Sequence, residues 1–502
     1  MKRFGPEVRE KMRKINLTMM AVRLRRVNVA LLITVAVSLH IGIRRLAGAD
    51  YYLYWFLALF CWRYLRFVVN LTAFWCYPPA PKPSKPTYTP SKDVTAVIPT
   101  VSTDLETFHK TLASCADNGP AKVIVVTAGN ELFAKVSSCV DTVSSKYPSI
   151  QFVVETAQVP SKRGQVALAV PHIETDITVL LDDHAFWGPR YLETLLYAFE
   201  DPLVGLAGTN KRVQRKEGLG LWGRIWNMLG ATYLCRHNFE IRATNAVDGG
   251  VFVVSGRCSA IRTDILHHPE FLPHYTNERF FFSMFGPLNP DDDNFITRFA
   301  VRHGWKIKIQ YAEDCVLHTT IGVDAVPHTK FLGQCKRWAR TTWRSNLCSL
   351  ITERSVWACQ PYCVYAVYLT SLTNFAAVTD GLLVYLFTKC SAYTTTTFAG
   401  LVCWILFTKM VKVFDYFRRH PQDIFLFPVY VSFAYFHSFI KLWALLTFWD
   451  CAWCGRNLAQ IKVADNDADV IENEKPIQKW FASLRSIRIR IQGSHTQHTA
   501  DI

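Results

Sequence analysis

The apolar residues of this chain are bunched at its two ends, and that bunching limits what it can fold into. Half of its 502 residues are hydrophobic. They concentrate before residue 78 and after about residue 355, and the stretch between has ordinary globular composition. This is the pattern of a membrane protein carrying one soluble domain. Residues 1–26 form a basic segment, expected to be a cytosolic surface helix or a flexible arm. Residues 27–77 hold two apolar spans, 27–43 and 51–77, the second with aromatic residues at both ends and with Arg63 and Arg66 inside it. Residues 78–90, PPAPKPSKPTYTP, are a stiff, extended linker. The soluble domain is expected over 91–350. A C-terminal membrane domain follows over 351–456, with apolar blocks at 361–387, 397–413 and 424–448. Three full crossings would leave a basic, polar tail outside the cytosol, so the first block holds two crossings or one block is re-entrant or interfacial. Residues 457–502 read as a polar, largely disordered tail with one amphipathic patch.

The formal charge is +16. Nucleic-acid binding is one meaning of such an excess. Here nine of the cations, from Lys2 to Arg26, immediately precede the first apolar run, which fits a cytosolic N-terminus facing an anionic leaflet. No zinc-finger spacing or RNA-binding signature is visible. The 15 cysteines are scattered and make no disulfide framework, and the single C-x-x-C at Cys451 and Cys454 has no second pair.

Strand-like and helix-like stretches alternate through the soluble domain. Strands are expected at 94–98, 122–127, 151–155 and 177–183, with helices near 104–117, 131–146 and 164–173 between them. Later strands are expected near 250–255 and 306–310. This order implies a parallel sheet covered by helices on both faces. The fourth strand belongs to ITVLLDDHAFW, residues 177–187, where an apolar run stops at Asp182, Asp183 and His184. Strand ends of this kind hold ligands in open α/β sheets, and carboxylates there grip a hard divalent cation, which in turn grips a diphosphate. Taken alone, the stretch reads equally well as a strand ending in a solvated acidic turn.

Three further stretches bear on the same chemistry. Lys162 and Arg163 precede a helix, which makes an anion site or an exposed basic turn. Asp291, Asp292 and Asp293 open a helix at 295–303. Capping needs one acid rather than three, and mutual repulsion raises at least one pKa, as a general base requires. Gln334, Arg337 and Trp338 share one helical face just before the membrane. Arg can clamp a diphosphate, and Trp offers a flat surface to a sugar ring. A juxtamembrane amphipathic helix accounts for the same residues without catalysis.

In this order, K-R, D-D-H, an acidic cluster and Q-x-x-R-W ahead of membrane spans, the chain resembles the processive family-2 glycosyltransferases. These are the hyaluronan, chitin and cellulose synthases, and the fungal capsule-type polysaccharide synthases resemble it most. Asp292–Thr297 is similar to the family's G-D-D-R-x-L-T. Val254-Ser255-Gly256 with Ile261-Arg262 is similar to its S-G segment, and Trp453-Cys454-Gly455-Arg456 faintly resembles its W-G-x-x-G-R. The resemblance covers about residues 27–456. It implies an α/β, GT-A-like (Rossmann-like) cytosolic glycosyltransferase domain inserted between N- and C-terminal transmembrane helices. It implies inverting transfer from a UDP-sugar, with Asp183 and Asp182 or His184 on Mn²⁺ or Mg²⁺. Lys162, Arg163, Asp182 and Arg337 would hold the donor, Asp293 beside Asp292 would be the base, Trp338 would shelve the acceptor sugar, and Gln334 and Arg337 would belong with them to the catalytic set. The acceptor would be a growing polysaccharide that leaves through the membrane. Membrane lipids surround the protein, nucleic acid is not a partner, and a homo-oligomer stays open. The plasma membrane is the expected location, with Golgi or endoplasmic reticulum as the others.

The chain departs from the family pattern in three places. His184 stands where the second Asp of D-x-D is expected, which puts metal preference in question. Thr127-Ala128-Gly129-Asn130 lacks the nucleoside-contacting acid, and Asn294 replaces an Arg. Two other readings follow. One is transfer of a single sugar to a lipid acceptor of dolichyl-phosphate or ceramide type. The other is a non-catalytic, degenerate transferase.

Overall fold

The computed structural model describes residues 5–19, 22–281, 283–323 and 327–451. The W-C-G-R segment and the C-terminal amphipathic patch lie outside them. Among the described residues the middle of the chain is built on nine strands: β1 (Val94–Pro99), β2 (Lys122–Ala128), β3 (Gln151–Ala157), β4 (Ile177–Leu181), β5 (Ala185–Phe186), β6 (Val204–Val213), β7 (Cys258–Arg262), β8 (Lys306–Gln310) and β9 (Val316–Thr319). Their order is β3-β2-β1-β4-β7-β6-β9-β5, with β8 beside β6. Side chains alternate between two cores. Val94, Ala96 and Ile98 of β1 enter one and Val97 the other; Val123 and Val125 of β2 oppose Ile124 and Val126 in the same way. Each fully buried side chain of this size contributes about 1.5–3 kcal/mol.

β3, β2, β1 and β4 are parallel, as the strand–helix alternation predicts. The sheet then reverses, because β7 runs antiparallel to both β4 and β6. The wholly parallel sheet is therefore corrected to a mixed one. The strand expected near 250–255 is an irregular loop, and the strand comes later, at β7. The reason lies in the backbone of that loop. Val254 donates its N–H to the Thr297 hydroxyl (3.0 Å) and Gly256 donates to Asp293 Oδ2 (2.9 Å), so a helix rather than a neighbouring strand satisfies them.

Among the described residues, three helices are long and apolar enough to cross a membrane: Leu24–Ala47, Tyr51–Cys76 and Pro421–Leu445. A further apolar pair, Pro361–Thr373 and Ala376–Lys389, meets at 89°, and Thr395–Val411 is shorter. The bend falls in the first C-terminal block, where the sequence left two crossings or a re-entrant segment open. Lys441 Nζ donates to the carbonyls of Ser371 and Asn374 at this bend, replacing helical partners that the break removes. The basic N-terminal segment forms the helix Pro6–Met19 and docks on the globular domain. Arg9 pairs with Asp264 (2.8 Å), and the Arg13 guanidinium lies 5.5 Å from the centre of the Trp305 ring. The proline-rich linker is fastened along the sheet, with Ala80 N–H donating to Gln310 Oε1 (2.8 Å) and Thr87 N–H to Glu200 Oε1 (2.8 Å).

Candidate active site

The first acid pair sits where β4 stops. Asp182 and Asp183 follow Leu181, and Asp182 N–H donates to the Arg257 carbonyl (2.9 Å), which fixes the turn. Asp183 is buried, accepts from the Thr100 hydroxyl at the end of β1 (2.8 Å), and faces His184 Nδ1 (3.0 Å). An Nδ1–H donated to that carboxylate leaves the His184 Nε2 lone pair free to accept or to ligate.

Lys162 links this pair to the acidic cluster. It opens the helix Lys162–Ala169, whose N-cap is Ser161, and is nearly buried. Its Nζ donates to Asp182 Oδ1 (2.8 Å) and the Gly256 carbonyl (2.9 Å) and pairs with Asp292 Oδ2 (3.2 Å). Burial works against its charge, but Asp182 and Asp292 outweigh it and hold the ammonium pKa above the ordinary lysine value. Burial alone would raise Asp182; Lys162 and His184 together bring it below the usual carboxylate range.

The three adjacent acids have three separate surroundings. Asp291 adopts left-handed backbone (φ 65°), is buried, and takes Arg344 Nε (2.8 Å) and Nη2 (2.7 Å) on its Oδ2, while the Thr341 hydroxyl donates to its Oδ1. Asp292 belongs to Lys162. Asp293, in the first turn of the helix Asp292–Arg302, accepts from Gly256 N–H and from the backbone and side-chain N–H of Asn294. Burial raises its pKa and the Asp292 charge raises it further, with Lys162 opposing. Burial first, and the neighbouring Asp292 charge with it, thus raise the Asp293 carboxyl. A Cβ at Gly256 would come within 3.1 Å of Asp293 Oδ2, so the glycine gives this carboxylate its room.

Gln334, Arg337 and Trp338 lie on one face of the helix Pro327–Leu347, as their spacing predicts. All three line a cavity of about 810 Å³ that also takes in Lys162, Asp182, Asp183, His184 and Asp291–Asp293. The Arg337 Nε is buried there without a hydrogen-bond partner. Trp338 lies 5.0 Å from the Tyr233 ring, and the Arg257 guanidinium stands 5.3 Å from its centre. Arg163 stands apart from this assembly. It is fully buried, does not line the cavity, and spends its guanidinium on Glu278 and the carbonyls of Tyr275 and Pro290.

Several lining residues were not legible in the sequence. Lys211 on β6 is buried 3.2 Å from His237 Nδ1, and His237 belongs to the 28-residue helix Leu221–Asp248. Burial pushes the Lys211 ammonium down to about 7, Arg257 adds to the shift and Asp293 opposes it. The end of β1 supplies Val101, Ser102, Thr103 and Asp104, whereas Thr127–Asn130 stays outside. Outside the cavity, His268, Glu270 and His303 bring three ligand atoms within 4.8 Å of one another, the one such group among the described residues. Asp182, Asp183 and His184 are not gathered that tightly, because Lys162 holds Asp182 and Thr100 holds Asp183.

A family model described as glycosyltransferase like family 2 matches residues 90–341, which includes every strand and the Gln334-Arg337-Trp338 face. The chain is a family-2 glycosyltransferase. It is 39% identical over 434 residues to a type 2 glycosyltransferase of Gibberella zeae, covering 84% of this chain and 78% of that one. It is 41% identical over 456 residues to one of Pyricularia oryzae, covering 89% and 90%. A hyaluronan synthase of Streptococcus pyogenes is 23% identical over 376 residues, covering 73% and 84%. Among solved structures, a mannosyltransferase of Pyrobaculum calidifontis in complex with GDP-Man and Mn²⁺ superposes with a TM-score of 0.49 at 16% identity, covering 78% of this chain and 97% of that one.

Proposed function

We propose that this glycosyltransferase is a membrane-embedded, inverting polysaccharide synthase that elongates a glycan from a UDP-sugar and passes it across the membrane. The observation that carries this reading is the single cavity. It runs from Asp182 and Asp183, past Asp293 and Trp338, to Lys412, Ser438 and Lys441 among the apolar helices. A transferase that merely released a soluble product would have no use for that extension.

In this mechanism the UDP-sugar lies across the end of β4. Arg337 and Lys162 hold the diphosphate, and Arg337 has an unpartnered Nε for it. Trp338 shelves the acceptor sugar, steadied by Tyr233 and Arg257, and Gln334 hydrogen-bonds beside it. Asp293 takes the proton from the acceptor hydroxyl as that oxygen attacks the anomeric carbon. Its raised pKa makes it a better base than an ordinary carboxylate, and Gly256 N–H keeps its Oδ2 oriented. Asp292 and Lys162 set the charge around that base. The donor set for a metal is two carboxylates and an imidazole with its Nε2 lone pair free, which suits Mn²⁺ better than Mg²⁺. Asp183 with Asp182 or His184 would hold the ion, which when bound would stabilise the charge developing on the leaving diphosphate.

Membranes containing the protein, given a panel of labelled UDP-sugars with Mn²⁺ or Mg²⁺, test this reading beside an Asp293→Asn control. Polymer from one or two donors, lost in the control, is the expected result. A small lipid-extractable product would replace it with single-sugar transfer, and UDP binding without transfer from any donor would favour a degenerate transferase.

A further inference from the structure

Outside the cavity the soluble domain gathers a different set of ligand atoms. His268 and Glu270 lead into the helix Phe271–Thr276, and His303 follows the helix Asp292–Arg302. One ligand atom from each lies within 4.8 Å of the others. The two imidazole rings are 4.7 Å apart, and His303 stacks on Phe299 at 3.9 Å.

His303 is oriented as a ligand. Its Nδ1 lies 2.8 Å from the Phe299 carbonyl, which can only accept, so Nδ1 carries the proton and Nε2 the lone pair. That Nε2 faces Glu270 Oε2 at 3.5 Å. Burial above all pulls the His303 pKa below its ordinary value; the Phe299 carbonyl opposes, and Arg302, His268 and Arg13 add to the fall. Desolvation works against the Glu270 charge, but Arg302, His303 and His268 outweigh it and hold the carboxyl below its usual range. A neutral imidazole and an ionised carboxylate thus confront each other with lone pairs, and a cation between them relieves the conflict. A proton can do so only by charging His303 against burial, Arg302 and Arg13.

The remaining partners are compatible with a metal ion. Glu270 N–H reaches His268 Nδ1 at 3.2 Å, a long hydrogen bond whose loss is small beside a metal–imidazole bond. Arg302 also reaches Glu270 Oε2 (3.0 Å), and ligating carboxylates are themselves hydrogen-bonded in this way. Tetrahedral bonds of about 2.0–2.2 Å set ligand atoms roughly 3.3 Å apart. The exposed Glu270 side chain can turn inward to close the difference, with water as the fourth ligand.

We propose that His268, Glu270 and His303 bind a divalent metal of zinc type at a site separate from the transfer chemistry. The ion ties the end of the helix Asp292–Arg302 to the segment before Phe271–Thr276, which packs on Lys162–Ala169. It braces the elements that carry Lys162, Asp292 and Asp293 from about 15 Å along the helix. Two imidazoles and a carboxylate favour Zn²⁺ over Mn²⁺ or Mg²⁺.

The test uses the full-length protein in detergent, stripped with chelator and titrated with Co²⁺ as a spectroscopic probe, then with Zn²⁺. Asp183→Asn, His268→Gln/His303→Gln and Glu270→Gln are treated alike. The expected result is a tetrahedral Co²⁺ absorbance without a thiolate charge-transfer band, unchanged in Asp183→Asn and displaced by Zn²⁺. Binding weakens by at least about 100-fold in the double variant and about tenfold in Glu270→Gln, an exposed position whose change spares the fold. Zn²⁺ at about 100 times its Kd raises the melting temperature by about 5–10 °C in the wild type and in Asp183→Asn, and leaves the double variant unmoved. Binding that survives undiminished in both glutamine variants would overturn the proposal. So would binding lost in Asp183→Asn, binding that carries a thiolate band, or no binding at all; none of these bears on whether the enzyme makes a polymer.

Discussion

The three consecutive acids at 291–293 separate cleanly under substitution, and Asp291→Asn is the informative change. Asp291 and Arg344 are both buried, with side-chain exposures of 4% and 2%, and meet through a hydrogen bond from Arg344 Nε (2.8 Å) and an ion-pair contact from Nη2 (2.7 Å), both on Asp291 Oδ2. Asparagine tolerates the left-handed backbone at this position, so the change removes charge while keeping conformation and one acceptor oxygen. What remains is a buried guanidinium without its counter-ion. Breaking a buried pair in this way costs about 3–5 kcal/mol. For a domain of this size each kcal/mol moves the midpoint by about 2–4 °C, so a fall of at least about 6 °C is expected. Asp293→Asn behaves in the opposite way. It removes a carboxylate that burial and Asp292 already disfavour, so the melting temperature holds or rises slightly. The transfer rate meanwhile falls by about 10²–10⁴, the contribution of a general base. Both proteins are compared in detergent by intrinsic-fluorescence melting and by UDP release. Were Asp291→Asn to melt like the wild type and lose transfer while Asp293→Asn kept it, the assignment of base and brace would be reversed and the reasoning refuted.

The pH profile carries a second prediction. Asp293 acts deprotonated, so transfer rises with pH through a pKa above the ordinary carboxylate value. The sign for stability is opposite: the folded state favours the protonated form, so this group's contribution is full below the unfolded pKa and is lost as pH rises through the raised one. Asp293→Asn flattens both curves, which melting and rate measurements across pH 4–8 would record. Gly256→Ala places a methyl 3.1 Å from Asp293 Oδ2 and is expected to lower kcat with little effect on the KM for donor. Chelation is expected to abolish transfer, with Mn²⁺ restoring more of it than Mg²⁺ because His184 is among the donors; equal rescue by both would remove the imidazole from the set.

How much of this was legible in the sequence depended on whether the signal was local. β1, β2, β3, β4 and β8 announced themselves as short apolar runs, and each lies within about two residues of its expected place. Gln334, Arg337 and Trp338 share a face because helical spacing is a local property. The antiparallel turn at β7 was not legible, since it depends on Thr297 and Asp293 reaching back more than 35 residues to occupy the loop before it. Arg163 shows the same limit. In sequence it is as good a diphosphate ligand as Lys162, and only packing turns it toward Glu278. Lys211 and His237 carried no signal because they come from a strand and a long helix that had not been anticipated, and they meet only in the folded cavity. The separation of Asp291 from its neighbours rests on Arg344, 53 residues later in the chain.

The measurement that tests the account most directly is a pulse of labelled UDP-sugar to membranes carrying the protein, followed by a large excess of unlabelled donor and sizing of the product over time. Processive synthesis through the cavity predicts that labelled chains keep lengthening during the chase while held by the same molecules, and that Asp293→Asn yields none. Label that stays on a single sugar attached to lipid, unchanged by the chase, would contradict it.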